Sequence, residues 1–553
     1  MQSGSTIIIQ FLESVGVRVV SGMPGGANLP LYDALFESKL LHVLARHEQG
    51  GGFIAQGMTR ASGFPGVCFA TSGPGVTNLV TALADAKMDS IPLLAITGQV
   101  PRALIGTDAF QEVDTCAMVQ PLVKRAYFVS KVDDLFWILP EAWSLCQEGR
   151  PGPVLIDVPK DIQIELTSGD FVWPVREKLN QTIEQGQIDS FIGELTLSER
   201  PILYIGGGAI NSDASALIRQ LADTNGIPVV STLMGLGAFP SDHPWFLGML
   251  GMHGEASTNH ILEESDLLIA LGVRFDDRAT GKLDEFCPSA RVVHVDVDAR
   301  ELGKLRVAEL AIRSDLKEFL SQSLHLVPKN DRADWKRHIA SLRNAHPSEN
   351  TSDDVVSNFP GAFLRGLSEI LDPEDIITTD VGQHQMWTAQ SYPFKKPRTL
   401  LTSGGLGTMG FGLPAAIGAA LARPEATVVC ISGDGSILLN IQELALLHEF
   451  QLNVKVIVMD NGHLGLVRQQ QELFYEERIS AARFQSSPDF CALANSFGIQ
   501  AMRFGGEMSE LKGVLETNGP VMIHVPMESS LNVYPMVAPG KANRDMIRGE
   551  VRF

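Results

Sequence analysis

Short runs of aliphatic and β-branched residues recur along this chain, most of them followed within a few positions by glycine and then by a helix-like stretch. Val428-Val429-Cys430-Ile431 and the run from Val454 to Met459 are two of them, with a helical pattern over 441–450 between them. Pro201-Ile202-Leu203-Tyr204-Ile205 leads into Gly206-Gly207-Gly208 and a helix-like 212–221, and Val292 to Val295 ends at Asp296. The run 41–44 precedes Glu48 and Gly50-Gly51-Gly52, where a helix is predicted to start. Runs this short, apolar without alternation, are strands buried on both faces. The pattern therefore predicts an α/β chain of doubly wound parallel sheets with helices on both sides. Polar, weakly patterned stretches at 179–187 and 345–354 divide it into three blocks, 1–185, 186–345 and 346–553, with no internal sequence repetition visible.

Composition narrows the classes. A chain of 553 residues exceeds one core and agrees with three domains. A net charge of -20 argues against nucleic acid and anionic membrane as partners. Six cysteines without paired spacing read as reduced thiols, and neither a signal core nor a long apolar run is present, so a cytoplasmic protein is expected.

The chemistry starts at Gly433-Asp434-Gly435-Ser436, with 24 residues intervening between Gly435 and Asp460-Asn461. Asp434, the side-chain amide of Asn461 and a backbone carbonyl near His463 offer a hard divalent ion the oxygen ligands that Mg²⁺ prefers, leaving positions for two phosphate oxygens. Gly433 and Gly435 let the backbone approach those phosphates. Both ligands fall at the ends of predicted parallel strands, where open α/β sheets bind ligands. Either piece alone reads as an Asp-Gly turn or a capping Asn; the spacing and strand context favour the metal. Glu48 in Arg46-His47-Glu48-Gln49-Gly50 then acquires a role. A carboxyl group in a dry site can hydrogen-bond the ring nitrogen of a thiamine pyrimidine and promote the tautomer whose amino group takes the thiazolium proton. Without the diphosphate signature Glu48 is simply an acidic residue favoured in a first helical turn.

With these residues the chain resembles the catalytic subunit of the acetohydroxyacid (acetolactate) synthase family over nearly its whole length. The matching strings are Gly22 to Gly26, Arg46 to Gly50, Thr71 to Gly75, Ile96 to Gln99, Gly106 to Asp114, Arg150 to Lys160, Arg274-Phe275-Asp276-Asp277-Arg278, Val381-Gly382-Gln383-His384, Gly407-Thr408-Met409-Gly410 and Val537-Ala538-Pro539-Gly540. The resemblance implies thiamine diphosphate, Mg²⁺ and FAD as cofactors. It implies decarboxylation of pyruvate and transfer of the hydroxyethyl unit to a second 2-oxo acid, giving 2-acetolactate on the route to branched-chain amino acids. Met409 would wedge between the two thiamine rings and hold the cofactor bent. Gly25, Val381, Gln383, His384 and Gly407 would line the same cofactor. The Gly206-Gly207-Gly208 turn, weak by itself, becomes an FAD site, lined by Arg150, Gly206, Gly207, Gly208, Thr232, Leu233, Met234, Gly251, His253, Arg274, Asp296 and Asp315. The flavin does no net redox chemistry in this family.

Arg278 would hold the second substrate's carboxylate with bidentate geometry, unless it pairs with Asp276 or Asp277. Phe110, Gln111 and Lys160 match positions near the family's active site, with Gln111 a donor to developing charge and Lys160 equally a flavin or loop contact. The resemblance also implies a homodimer or homotetramer with the active site at the subunit interface, and allows a separate regulatory small subunit. One departure concerns specificity. Members that favour 2-oxobutyrate carry tryptophan where this chain has Gln470, and one methyl group is worth about 1 to 3 kcal/mol of discrimination. Glyoxylate carboligase, another 2-oxo acid carboligase or decarboxylase, pyruvate oxidase and a non-catalytic paralogue are the alternatives. Glu48 counts against the first, Arg278 and the Val537-Ala538-Pro539-Gly540 run against the oxidase, and intact Glu48, Asp434 and Asn461 against the last.

Overall fold

A computed structural model describes residues 1–169, 183–347 and 359–549. The expected linker stretches therefore lie partly outside the described residues, at 179–182 and 348–354.

The described chain contains three six-stranded sheets, parallel throughout, and a two-stranded antiparallel pair, Gln2–Ser3 with Leu166–Thr167. The first sheet runs Leu41–Leu44, Val19–Gly22, Gly66–Ala70, Leu93–Gln99, Pro153–Pro159, Arg125–Phe128. The third runs Leu400–Leu401, Ile376–Thr379, Val428–Gly433, Val454–Asp460, Val521–Pro526, Gln500–Arg503. Numbered within each sheet, both have the strand order 2-1-3-4-6-5. The middle sheet, Phe246–Met249, Val229–Ser231, Pro201–Ile205, Leu267–Leu271, Arg291–Asp296, Leu310–Arg313, has the order 3-2-1-4-5-6 of dinucleotide-binding sheets. Central strands such as Leu93–Gln99 and Val428–Gly433 are buried at every position, as their unalternating composition requires.

In such sheets a ligand crevice opens where neighbouring strands send their connections to opposite sides. Those points lie beyond Gly22 and Ala70 in the first sheet, Ile205 and Leu271 in the second, and Thr379 and Gly433 in the third.

The outer blocks meet through helices Glu48–Ser62 and Gly412–Ala422, each of which follows the second strand of its own sheet. A Cβ on Gly57 would lie 2.2 Å from the carbonyl oxygen of Ala415, and one on Gly418 would lie 2.0 Å from that of Ile54. Phe53 and Phe411 pack edge to face beside this contact, their centroids 5.3 Å apart. Buried apolar residues of both blocks form one continuous core there.

Two expected helices differ in detail. Residues 441–450 form a 3₁₀ turn, Ile441–Glu443, followed by the helix Leu444–Glu449. The helix expected over 212–221 starts instead at Ser215 and runs on to Asn225, where Gly226 caps it; a separate short helix, Gly207–Asn211, precedes it, and Asp213 between the two takes a left-handed φ of 52° that no helix can contain.

Candidate active site

Asp434 and Asn461 stand just past the adjacent strands Val428–Gly433 and Val454–Asp460, so the parallel register brings them together. Gly462 N–H donates to Asp434 Oδ2 at 2.8 Å and to Asp460 Oδ1 at 3.1 Å. Burial, and then the Asp460 carboxylate beside it, raise the Asp434 carboxyl above its ordinary range. Asp460 itself is paired with His524 at 2.9 Å. Asn461 Nδ2 donates to Gln383 Oε1 at 3.0 Å, and Asn461 Oδ1 accepts His463 N–H at 3.1 Å. Among the described residues no group of three or more His, Cys, Asp or Glu side chains could hold a metal. One carboxylate, one amide and a main-chain carbonyl form a partial oxygen set that suits Mg²⁺ when phosphate oxygens complete it.

Phosphate donors lie alongside. Gln383–Ser391 is a helix that starts beyond Ile376–Thr379, across the switch point from Asp434. His384 is buried against Gly433, where a Cβ would meet the imidazole at 2.9 Å, and its Nε2 has no partner. Burial depresses its pKa to about 3, so the ring is neutral. The Gln383 amide is committed to Asn461 on one side and to Gln469 and Leu531 O, both at 3.0 Å, on the other. It thus bridges the loop that carries Asn461 to the helix Gly465–Phe474. Val381 faces Gly407, 4.0 Å from the position of a Cβ there, which brings the reacting-centre pair together. Met409 is half-buried between the exposed Gly407 and the buried Gly410.

Glu48 opens the helix Glu48–Ser62, with Asn78 donating to its Oε2 at 3.0 Å. A Cβ on Gly75 would come within 3.5 Å of its Oε1, and one on Gly25 within 2.5 Å of Thr71, so Gly25, Thr71, Gly75 and Glu48 share one crowded corner at the first sheet's switch point. Asn440 Nδ2 donates both to Gln49 Oε1 at 3.2 Å and to Gly410 O at 2.7 Å, tying the residue after Glu48 to the residue after Met409. Gln111 takes a left-handed φ of 61° against Gly73, whose Cβ would lie 2.9 Å from its Cα. Phe110 beside it is 86% exposed. Lys160, half-buried, opens the short helix Lys160–Ile164.

Arg278 projects from the single turn Asp277–Thr280. Its Nε is 3.7 Å from Asp277 with both groups exposed, too long for a hydrogen bond, and Asp276 is spent capping the turn through Ala279 N–H. The guanidinium remains available to an anion. Gly251 has a φ of 96° and no room for a Cβ, which would meet Arg278 O at 2.3 Å. His253 Nδ1 contacts Pro535 O at 3.2 Å, Asn543 donates to Ala279 O at 2.9 Å, and Gln469 exchanges hydrogen bonds with Val533 at 2.8 and 2.9 Å. The stretch 533–543 therefore spans from the Arg278 turn to the helix carrying Gln470, which is exposed.

At the middle sheet's switch point Gly206-Gly207-Gly208 packs on Gly272, with Gly208 and Gly272 so close that a Cβ on one would lie 2.7 Å from the other's Cα. Thr232, Leu233 and Met234 follow the neighbouring strand, and Thr232 N–H donates to Ile205 O. Arg150 enters from the first block, bonding Ser90 Oγ and Glu301, both at 2.8 Å. Arg274 donates to Met88 O. Asp296 ends its strand, buried and raised to about 6 by that burial. Asp315 caps the helix Leu316–Ser323 through Lys317 N–H at 2.9 Å and lies one strand further out.

Several contributors escape sequence reasoning. Asp380 is fully buried, lifted to about 6 by that burial, and accepts Gly410 N–H at 2.7 Å and Val381 N–H at 3.0 Å, so it positions the residues flanking Met409 and the reacting centre. Its place directly before Val381-Gly382-Gln383-His384 is the only signal. Asn440, Glu443 and Gln469 have none, since their partners lie far off in sequence.

The chain matches three family descriptions: "Thiamine pyrophosphate enzyme, N-terminal TPP binding domain" over residues 2–118, "central domain" over 188–323 and "C-terminal TPP binding domain" over 380–525. It is 49% identical over 551 residues to the acetolactate synthase isozyme 1 large subunit of Escherichia coli K12, covering 99% of this chain and 97% of that protein. It is 44% identical to the isozyme 2 large subunit of the same organism, over 99% of each chain. With the acetolactate synthase large subunit of Pyropia yezoensis the identity is 45%, over 99% of this chain and 95% of that one.

Proposed function

This chain belongs to the acetolactate synthase large-subunit family of thiamine pyrophosphate enzymes, and from that membership we propose that it takes pyruvate as donor, releases carbon dioxide and joins the remaining two-carbon unit to a second 2-oxo acid. With pyruvate as acceptor the product is 2-acetolactate. The observation that carries this reading is the meeting of Asp434, Asn461 and the unpartnered Nε2 of His384 at one switch point.

When bound, thiamine diphosphate supplies the electron sink for decarboxylation. Asp434, Asn461 and the carbonyl of His463 would hold Mg²⁺, a reading supported by the oxygen chemistry of these groups and by the place of Asp434 and Asn461 just past adjacent parallel strands. His384 Nε2 would donate to the diphosphate, with Gly433, Gly435 and Ser436 giving close backbone approach. Glu48 would hold a proton at the pyrimidine nitrogen, from the corner it shares with Gly25, Thr71 and Gly75. Met409 would set the angle between the rings from below Val381 and Gly407. Arg278 would bind the acceptor carboxylate, with Gln470 near its alkyl tail and Gln111, Phe110 and Lys160 bordering the reacting centre.

FAD is assigned to the middle block. The 3-2-1-4-5-6 order and the glycine turn at its switch point support this, and its place there is structural rather than redox. Domain boundaries at 185/186 and 345/346 follow the three sheets. A second copy of the chain is the partner supported by the exposed Phe110, Leu406 and Leu439, and a small regulatory subunit by the "large subunit" names of its relatives. No helix among the described residues is long and apolar enough to cross a membrane, and the free cysteines support a cytoplasmic setting.

The test is incubation of the purified chain with pyruvate, glyoxylate and 2-oxobutyrate, singly and in pairs, with products identified by mass. 2-Acetolactate from pyruvate alone is expected. Turnover of glyoxylate alone, with pyruvate inert, would replace this reading by a glyoxylate carboligase.

A further inference from the structure

The loop 402–410, which delivers Gly407 and Met409, belongs to the third block but is held from the first. Arg60, on the helix Glu48–Ser62, donates through Nη1 to Thr402 O at 2.9 Å and through Nη2 to Asp85 and Asp89 at 3.1 and 2.9 Å. Asp85 accepts the Ser403 hydroxyl, and Asp89 accepts the main-chain N–H groups of Gly404 at 3.0 Å and Gly405 at 2.7 Å. Ser403 Oγ in turn accepts Thr408 N–H at 2.8 Å, one residue before Met409. All three charged side chains are buried.

Charge explains why the loop cannot drift. Two carboxylates facing one guanidinium leave an excess of negative charge out of water, and a buried charge must be met by partners. The Gly404 and Gly405 amides and the Ser403 hydroxyl are those partners. Releasing the loop would strand the charge, so the acids fix the loop as firmly as the loop satisfies the acids. Glycine is needed at both amides: a Cβ on Gly405 would lie 2.9 Å from Asp89 Oδ1, and one on Gly404 would lie 2.3 Å from Met234 Sδ. At its far end the loop is pinned again by Asp380 on Gly410 N–H.

We propose that Arg60, Asp85 and Asp89 are positioning residues for Met409, an inter-block clamp that fixes the height of the side chain on which thiamine diphosphate bends. The inference rests on the Met409 role proposed above. It also gives the middle block a mechanical path to that side chain, since Met234 and Arg274 abut Gly404 and Gly405.

The test compares wild type with Asp89→Asn, Asp85→Asn and Arg60→Lys. The first readout is amide hydrogen exchange of Gly404, Gly405 and Thr408 in protein stripped of cofactor, with the strand Val428–Gly433 as internal control. The second is kcat against KM for pyruvate with cofactor restored. Faster exchange confined to the loop is expected, with kcat reduced by about tenfold to a hundredfold, the cost of misplacing a reacting geometry, and pyruvate KM little changed. If Asp85→Asn fails to fold, Asp89→Asn, which keeps one acceptor oxygen, decides the matter. Loop exchange at the wild-type rate overturns the clamp. Fast loop exchange with wild-type kcat overturns the link to Met409. Failure of the wild type to make 2-acetolactate would sink the functional reading instead, because exchange is read without cofactor.

Discussion

Glu443 of the third block accepts the main-chain N–H of Arg46, two residues ahead of Glu48, through both carboxylate oxygens at 3.0 and 3.2 Å. The residue proposed to start the chemistry is thus seated by a buried acid from the opposite block. Arg46 extends the tie with a side-chain pair to Glu449 at 2.7 Å.

That acid makes a pH prediction. Burial raises Glu443 from 4.5 to about 7, its amide partners opposing the rise only in part. Below 4.5 both folded and unfolded chains hold the proton. Between 4.5 and 7 only the folded chain does, so ionisation of the unfolded chain draws stability away as pH rises, by about 3 kcal/mol in full. Glu443→Gln removes the titration while keeping an acceptor oxygen. The melting-temperature advantage of pH 5 over pH 8 should therefore be smaller in the variant than in wild type. Parallel pH curves for the two proteins would contradict this.

Glu48→Gln should lower turnover by about a hundredfold or more while leaving thiamine diphosphate affinity near wild type, because the amide fills the same volume without the acid's proton role. Exchange of the bound cofactor's C2 proton, followed by quenched-flow NMR, checks it directly. Wild-type exchange in the variant would remove Glu48 from the role.

Asp434→Ala should abolish retention of thiamine diphosphate and Mg²⁺, since one lost hard ligand leaves the diphosphate charge unmet. The flavin proposed for the middle block should stay. Absorbance near the flavin bands and cofactor content of the purified variant report both. A wild-type protein that neither carries FAD nor is stabilised by it would remove the flavin assignment.

Gln470→Trp should shift acceptor choice towards 2-oxobutyrate by about 1 to 3 kcal/mol, roughly ten- to hundredfold in product ratio, because an indole packs on the extra methyl group that an amide leaves uncovered. Competition between pyruvate and 2-oxobutyrate gives the ratio. A strong native preference for the larger acid would mean another residue sets it.

How much of this was legible in the sequence depends on whether the partners are local. The positions of Glu48, Asp434 and Asn461 were legible because each stands at a fixed offset from a strand end and glycine pattern, and the structure has Glu48 at a helix start and Asp434 and Asn461 just past strand ends. The repeated 2-1-3-4-6-5 order was invisible, since topology constrains only where apolar runs fall and leaves their residues free to diverge. Asp380 and Glu443 were missed because their burial and their partners are created by chain segments 30 and 397 residues away. The late start of the helix at Ser215 was missed because an Asp in left-handed conformation, here Asp213, leaves no mark on hydrophobic periodicity.

The reciprocal glycine contact between helices Glu48–Ser62 and Gly412–Ala422 has a consequence for motion. Each helix offers the other bare backbone at one glycine, Gly57 or Gly418, and equivalent elements of two look-alike sheets are locked face to face at those two points. Such a joint can neither slide by a turn nor swing open without losing contact along its whole length. The outer blocks must then travel as one rigid body. On the proposed function, admission of substrate and escape of product would then fall to the periphery, to the exposed turns around Phe110 and Arg278 and to the stretch 533–543 that spans from the Arg278 turn to the helix carrying Gln470.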